Sequence, residues 1–456
     1  MKNILKLVLV LLTSSVFAQA GHIMQGVGSV NMSMGGAATA QPLDISGALQ
    51  WNPAAISVFD SKIINFDIGA FFSSPELSSS LPAGMMGPGS PAVSGTTKDD
   101  RGVSAMPALA FVYGKEGSKH TFGVSAFGIS GFGVTFPEEA NNPMSPNFNP
   151  TLNSNPINYP QQAGGFGLLE SDYMLLQVGF AWAYELTDQL SIGVQPTINY
   201  AALELAPNPT ANPDFTPPAG APGDRGYPTS DNASAIGYGA QFGLFYNSPS
   251  GIKLGASYKT NQKFDDLEFK NTYVNGDPAP KTSFNMDYPA IISFGVGYSN
   301  KTFDLAVDYR YVDYENTDGF SEKGWNPTGS VKGFGWKNIS IISVGLQYKG
   351  IEKLPLRVGY TYSGNPIDDE LAFFSTPATA VIKNAFQFGT SYPLSTNFML
   401  NGVFHYGTSD GKTEGTLLSP SMVSASDPYG KVPGTKVGYD MTTSMVMLGL
   451  TYTFSK

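Results

Sequence analysis

Alternation with a period of two runs through most of this chain. Between 190 and 200, Leu190, Ile192, Val194, Pro196, Ile198 and Tyr200 fall on one face, and Ser191, Gly193, Gln195, Thr197 and Asn199 on the other. The stretch 173–184 sets Met174, Leu176, Val178, Phe180, Trp182 and Tyr184 against Gln177, Gly179, Ala181 and Ala183. The stretches 236–246 and 288–298 repeat the pattern, with apolar faces running from Ile236 to Tyr246 and from Tyr288 to Tyr298. Such alternation predicts β-strands with one face in an apolar medium. Fourteen strands are predicted, near 63–72, 103–113, 121–129, 173–184, 190–202, 236–246, 252–260, 287–298, 303–314, 338–348, 354–362, 381–392, 397–406 and 443–454. Each is about the 9–11 residues that a tilted membrane strand requires, or slightly more. Tyr or Trp often ends the apolar face, as expected at a membrane–water boundary.

The connections alternate long and short without exception. The short ones are GKEGSKH, ELTDQ, NSPSG, SNKT, KGIEK and PLST; the long ones cover roughly 73–102, 130–172, 203–235, 261–286, 315–337, 363–380 and 407–442. A secreted β-sandwich or propeller, the alternative architecture, has no reason to gather every long loop at one end. An all-β, 14-stranded antiparallel transmembrane β-barrel does: it has an even strand count, short periplasmic turns and long extracellular loops. Closure also pairs every backbone group in lipid. The expected place is therefore the outer membrane of a Gram-negative bacterium, with lipid and lipopolysaccharide as surroundings and a monomer as the unit.

Composition narrows the picture further. Charged residues are 14% of the chain, against about 25% in soluble domains. Aromatic residues are 12%, glycines number 52 and cysteines 0. Disulfides and thiol chemistry are thus absent. The formal charge of −10 becomes −12 without Lys2 and Lys6 and argues against a nucleic-acid partner, which requires a basic surface. The basic start Met1–Lys6, the apolar run 5–18 and Ala18-Gln19-Ala20 predict a signal peptide over 1–20. Beyond it, no run of 18 apolar residues forms a helical span.

Residues 21–60 precede the first strand and are rich in Gly, Ala, Ser and Met. A barrel of fourteen strands is too wide to fill with its own side chains. This segment is read as an N-terminal hatch (plug) in the lumen, with 61–456 as the barrel. Asn52-Pro53 favours a sharp turn from lumen to wall.

Gly26…Gly35-Gly36-Ala37…Asp44…Asn52-Pro53-Ala54 resembles the hatch of the outer-membrane long-chain fatty acid and hydrocarbon transporters of the FadL/TodX family, with Asn52, Pro53 and Ala54 matching that family's Asn-Pro-Ala motif. LSIGVQPTINY, MDYPAIISFGVGYS, LAVDYRYVDY, GWKNISIISVGLQY and LPLRVGYTYSGNPIDD look like its successive strands, in order. One departure is the end: family members tend to finish on an aromatic residue, whereas here Ser455 and Lys456 follow Phe454. The resemblance implies passive transport. Hydrophobic molecules enter through the extracellular loops into a pocket inside the barrel, the hatch shifts, and cargo leaves sideways through a gap made by a kinked third strand. The favoured cargo is a long-chain fatty acid. Uptake of aromatic or aliphatic hydrocarbons is the alternative, and a general porin a further one. In FGVSAFGISGFGVTF, Gly123, Gly128, Gly131 and Gly133 would permit the kink.

The inward face carries polar residues, among them Asp67, Gln195, Gln241, Asp304, Asp308 and Gln387. It is also expected to carry Phe71, Leu109, Phe111, Phe127, Ile129, Leu175, Phe245, Ile291, Met399, Val403, Met445 and Met447. A general porin has little use for the second set. These residues would form the dry wall of a ligand pocket or pack against the hatch, each buried side chain contributing roughly 1.5–3 kcal/mol. Arg310 and Arg357 point inward as partners for a fatty-acid carboxylate, although Asp304 or Asp308 offers Arg310 a nearer ion pair. Phe132, Phe136, Phe148, Phe373 and Phe374 are read as loop aromatics of an outer capture surface.

Catalytic chemistry finds little support. Of the histidines, His22 lies in the hatch, His120 in a turn and His405 on a strand among apolar and Gly neighbours. None has the partner of a helical metal site, no cysteine is present for a zinc cluster, and a lipase would need Ser, His and an orienting acid or amide. No enzyme activity, cofactor or metal is expected.

Overall fold

The computed structural model describes residues 21–215 and 225–455; the predicted signal peptide lies outside them. Fourteen strands form the wall: β1 (Lys62–Leu81), β2 (Val103–Tyr113), β3 (His120–Phe136), β4 (Leu169–Glu185), β5 (Leu190–Ala206), β6 (Ala233–Asn247), β7 (Ile252–Lys259), β8 (Ala290–Ser299), β9 (Phe303–Asp313), β10 (Ile339–Tyr348), β11 (Leu356–Ser363), β12 (Asn384–Pro393), β13 (Phe398–Thr408) and β14 (Lys436–Thr453). Every neighbour pair is antiparallel, and β14 closes on β1 from Ile63↔Thr453 to Ser80↔Lys436. All fourteen predicted segments are present. Several run further at the long-loop end: β1 continues to Leu81 and β3 to Phe136. There the outward positions turn polar (Ser74, Glu76, Ser78 and Ser80 on β1), so the alternation fades while the pairing does not.

Outward residues such as Phe66, Phe180, Phe242, Phe294 and Phe404 are exposed apolar rings, the lipid-facing half of the pattern. Inward residues are mostly buried because the lumen is filled. From Gly21 to Ile56 every residue is buried except Leu43 and Asp44, which are half-buried. This segment contains helix α1 (Ser29–Ser33), helix α2 (Ile45–Trp51) and a 3-10 turn over Pro53–Val58. Asp44 caps α2, its carboxylate accepting from the amides of Ser46 and Gly47. Inward glycines let the segment's bare backbone approach the wall: a Cβ on Gly193 would stand 2.3 Å from Ala54 N, and one on Gly255 1.9 Å from Thr39 O.

One strand corrects the inward set. β2 turns Ala108, Ala110 and Val112 inward, where they are buried. Leu109 is 45% exposed, and Phe111 shares its outward face. VSAMPALAFVY is apolar on both faces, so alternation alone does not choose between them. α2 lies against the inner side of this strand, and small inward side chains make room for it.

Candidate functional site

The site is built from the plugged lumen and an interruption in the wall beside it. Two wall carboxylates hold the N-terminal segment. Asp67 on β1 accepts from Ser29 N (2.9 Å), Ser29 Oγ (2.5 Å) and Asn65 Nδ2 (2.5 Å). Asp308 on β9 accepts from Ala38 N (3.0 Å), Thr39 N (2.9 Å), Thr39 Oγ1 (2.7 Å) and Arg310 Nη2 (2.6 Å). Asn52 donates to Thr39 O (2.8 Å) and Leu244 O (3.0 Å) and accepts from Ala54 N (3.1 Å). The Asn-Pro-Ala motif thus fastens the end of the segment both to itself and to β6.

The interruption follows from strand pairing. β2 pairs with β1 over its whole length, from Tyr113 to Val103. It pairs with β3 only from Tyr113↔Phe122 to Ala108↔Phe127. Above that point β4 is the one wall strand paired with β3 among the described residues, with a bulge at Ile129. A window therefore opens between residues 103–107 and 128–134. Its upper frame is the turn before β2: Asp99 accepts from Thr135 N (2.6 Å) and Asp100 N donates to Thr135 O (2.8 Å). The bulge puts two adjacent residues opposite one and exchanges the faces of β3 beyond it. Phe132 and Phe136 consequently point inward from a strand and are buried, rather than standing in a loop.

Residues 22–24 take the place of β2 along the free edge of β3. Met24 N donates to Ile129 O (3.1 Å), Gly131 N to His22 O (3.2 Å) and Ser130 Oγ to His22 O (2.9 Å). A cavity of about 280 Å³ occupies the window, lined by Met24, Phe71, Ser104, Met106, Phe132 and Tyr173 among others. A larger one of about 1030 Å³ lies among the long loops, with Tyr159, Phe166, Tyr227, Trp325 and Phe373 on its walls.

Of the residues expected to line a pocket, Phe71 lines the window cavity. Most of the other inward ones share an apolar cluster with residues of the segment. Phe127, Ile129, Leu175, Phe245 and Ile291 join Ile23, Trp51 and Ile56 in one apolar cluster. Val403, Met445 and Met447 join Phe71, Met24 and Met32 in another. Met399 is half-buried at the short-turn end of β13. The glycines divide as well. Gly131 and Gly133 sit on the window edge, and Gly128 immediately precedes the bulge. Gly123 is paired on both sides, and its missing Cβ makes room for Leu49, 2.6 Å away. It therefore does not belong to the kink. Phe373 is buried on the wall of the outer cavity, Phe374 is buried beside it, and Phe148 is half-buried in its loop.

Neither predicted carboxylate partner lines a cavity described here. Arg310 is fully buried; it is bound to Asp308, donates to Gly36 O (2.7 Å) and stacks 3.7 Å from the Trp51 ring centroid. Arg357, near the short-turn end of β11, donates to Gln347 Oε1 (2.7 Å) and Ser391 Oγ (2.6 Å). The groups missed by sequence are Arg101 and Asp172 at the window rim, with Met24, Met106 and Tyr173 on its walls. Arg101 closes the charged run Lys98-Asp99-Asp100-Arg101 just before a strand, and nothing local marks Asp172 as its partner. Among the described residues, no cluster of His, Asp or Glu is placed to hold a metal ion.

His22 lies in a cage of rings: Phe320 at 4.7 Å, Tyr314 at 5.5 Å, Tyr288 and Trp336 at 5.8 Å, Tyr173 at 6.2 Å. Burial lowers its imidazole pKa from the ordinary 6.5 to about 3. A released His22 gains a proton as pH falls below 6.5, while the docked one stays neutral, so docking is full above that pH and weakens between 6.5 and about 3. Protection of the Met24 and Gly131 amides, taken relative to the unstructured exchange rate at each pH, is expected to fall over that window, and His22→Phe to remove the dependence.

A closed fourteen-strand barrel with a filled lumen and an interrupted wall defines an outer-membrane transport protein. The chain matches the model of the outer membrane protein transport protein family (OMPP1/FadL/TodX) over residues 158–455. It belongs to that family. The toluene transporter TodX of Pseudomonas putida shares the fold with a TM-score of 0.65 at 16% identity, covering 95% of this chain and 99% of its own. A FadL homologue of Pseudomonas aeruginosa gives 0.69 at 13%, with 96% and 100% covered. The Ralstonia pickettii toluene transporter TbuX gives 0.62 at 16%, with 94% and 99%. No curated protein matches the chain in sequence.

Proposed function

We propose that the chain moves hydrophobic molecules passively across the outer leaflet. Long-chain fatty acids are the favoured cargo. Aromatic or aliphatic hydrocarbons are the second reading, supported by the TodX and TbuX structures, which are named as toluene transporters. In this reading the long loops face outward and the short turns face the periplasm. Cargo gathers in the cavity among the long loops and passes inward over the rings beneath it. It leaves sideways through the window once the hatch, residues 21–60, gives way at residues 22–24. The protein acts as a monomer within lipid and lipopolysaccharide.

The observation that carries this reading is the window between β2 and β3, with an apolar cavity in it and a strand-like stopper on its inner side. Met and aromatic walls suit flexible chains of varied shape. A buried N-terminal segment fills the lumen and argues against a general porin. No free energy source enters the scheme: each stage moves an apolar molecule from water to protein to lipid, down its transfer gradient.

The test is uptake of radiolabelled oleate and of toluene by cells lacking their own such transporter. Oleate uptake is expected to rise severalfold on expression. Restoration of toluene uptake alone would transfer the assignment to hydrocarbons, and restoration of neither would overturn it.

A further inference from the structure

Of the residues lining the window cavity and the outer cavity, Arg101 alone carries a positive charge. It stands at the rim of the window, in the turn between the upper frame and the first residue of β2. Its guanidinium occupies the space a side chain at Gly133 would need: a Cβ there would come within 2.4 Å of Nε and Cζ. From this seat it reaches across the free edge of β3 to the carboxylate of Asp172 on β4. Asp172 is on the outer face, one step beyond the exposed Met174, so the pair sits where the outward positions of β4 change from apolar to acidic.

The two partners are unequally held. The Arg101 side chain is 18% exposed and fixed against the wall, while that of Asp172 is 61% exposed. An exposed ion pair contributes little and is readily exchanged. Of the other acids nearby, the Asp99 carboxylate accepts from Thr135 N and that of Glu170 lies 3.4 Å from Thr135 Oγ1, while the ion pair of Arg101 is with Asp172 rather than with its exposed chain neighbour Asp100. Below Arg101 the cavity is apolar, with Phe71, Met106, Phe132 and Met174 on its walls.

The geometry points to Arg101 as the carboxylate site of the window: the head of a long-chain acid replaces Asp172 on the guanidinium while its tail lies in the cavity and passes into the bilayer. Arg suits this role because its planar fork takes a carboxylate through two parallel bonds. Head and tail would then leave together at matching depths, the charge reaching the interface without crossing hydrocarbon, where a bare carboxylate is strongly disfavoured. The inference rests on the fatty-acid reading above and deepens it by naming the residue that separates acids from hydrocarbons.

The test uses the purified full-length protein in detergent, with oleate and oleyl alcohol, which share a tail and differ in charge. Arg101→Gln is expected to weaken oleate binding by roughly tenfold and leave the alcohol unchanged, as the loss of one charge-assisted contact implies. Asp172→Asn, which removes the competitor, is expected to tighten oleate severalfold. Heat-modifiable migration on a gel reports that each barrel is intact. Equal weakening of both ligands, or oleate binding indifferent to both substitutions, overturns the assignment of Arg101 while leaving the transport reading standing. Failure of the unaltered protein to bind either ligand removes both.

Discussion

Ser104→Trp is expected to abolish most uptake while leaving the barrel folded. Ser104 lines the window cavity opposite Phe71 in the pairing of β1 with β2. An indole there fills much of the passage, and the neighbouring edge of β3 has no bonds to β2 to break. An added barrier of about 1.4 kcal/mol slows flux about tenfold, and overpacking commonly costs about 1–3 kcal/mol. Radiolabelled oleate uptake should therefore fall by roughly tenfold or more. Binding in the outer cavity should persist, because none of its walls changes. Undiminished uptake by a folded S104W barrel would show that cargo leaves by another route.

Asp308→Ala is expected to turn a quiet barrel into a leaky one. Its carboxylate holds Ala38, Thr39 and Arg310 at once, and the side chains of Asp308 and Arg310 are 0% and 1% exposed. Removing one member of a buried pair leaves the other uncompensated, at a cost of about 3–5 kcal/mol. Charged to the docked segment alone, that is roughly a hundredfold to several thousandfold in the population of the undocked state. In planar bilayers the unaltered protein should pass little current, and D308A should show frequent ion-conducting openings. Asp67→Ala, on the other side of the lumen, should act in the same direction. A silent D308A channel would mean that the apolar contacts of the segment hold it without the carboxylates.

The strand number and most of the register are legible in the sequence, because lipid on one side imposes a local rule. Phe180, Phe242 and Phe294 must face out whatever the rest of the chain does. The loop lengths then order the ends. Where both faces meet protein, the rule weakens: on β2 the filled lumen asks for Ala108 and Ala110 just where the lipid side accepts Leu109 and Phe111. At Ile129 a single extra residue reverses the sense of the alternation, which carried Phe132 and Phe136 into a loop they do not occupy. The window was expected from family resemblance rather than from any residue, since a missing partnership between β2 and β3 is a property of two strands and not of either one. Arg101 and Asp172 lie 71 residues apart, and no periodicity links them.

The N-terminal segment also constrains how the molecule is made. It runs directly into β1, it is gripped by Asp67 on that strand and by Asp308 at the far side, and the glycines it touches leave no slack for later entry. A segment with two short helices and a 3-10 turn is too large to pass through the window, whose cavity is about 280 Å³. Closure of β14 onto β1 and docking of the segment are therefore coupled through Asp67, which belongs to the closing strand and holds the segment as well.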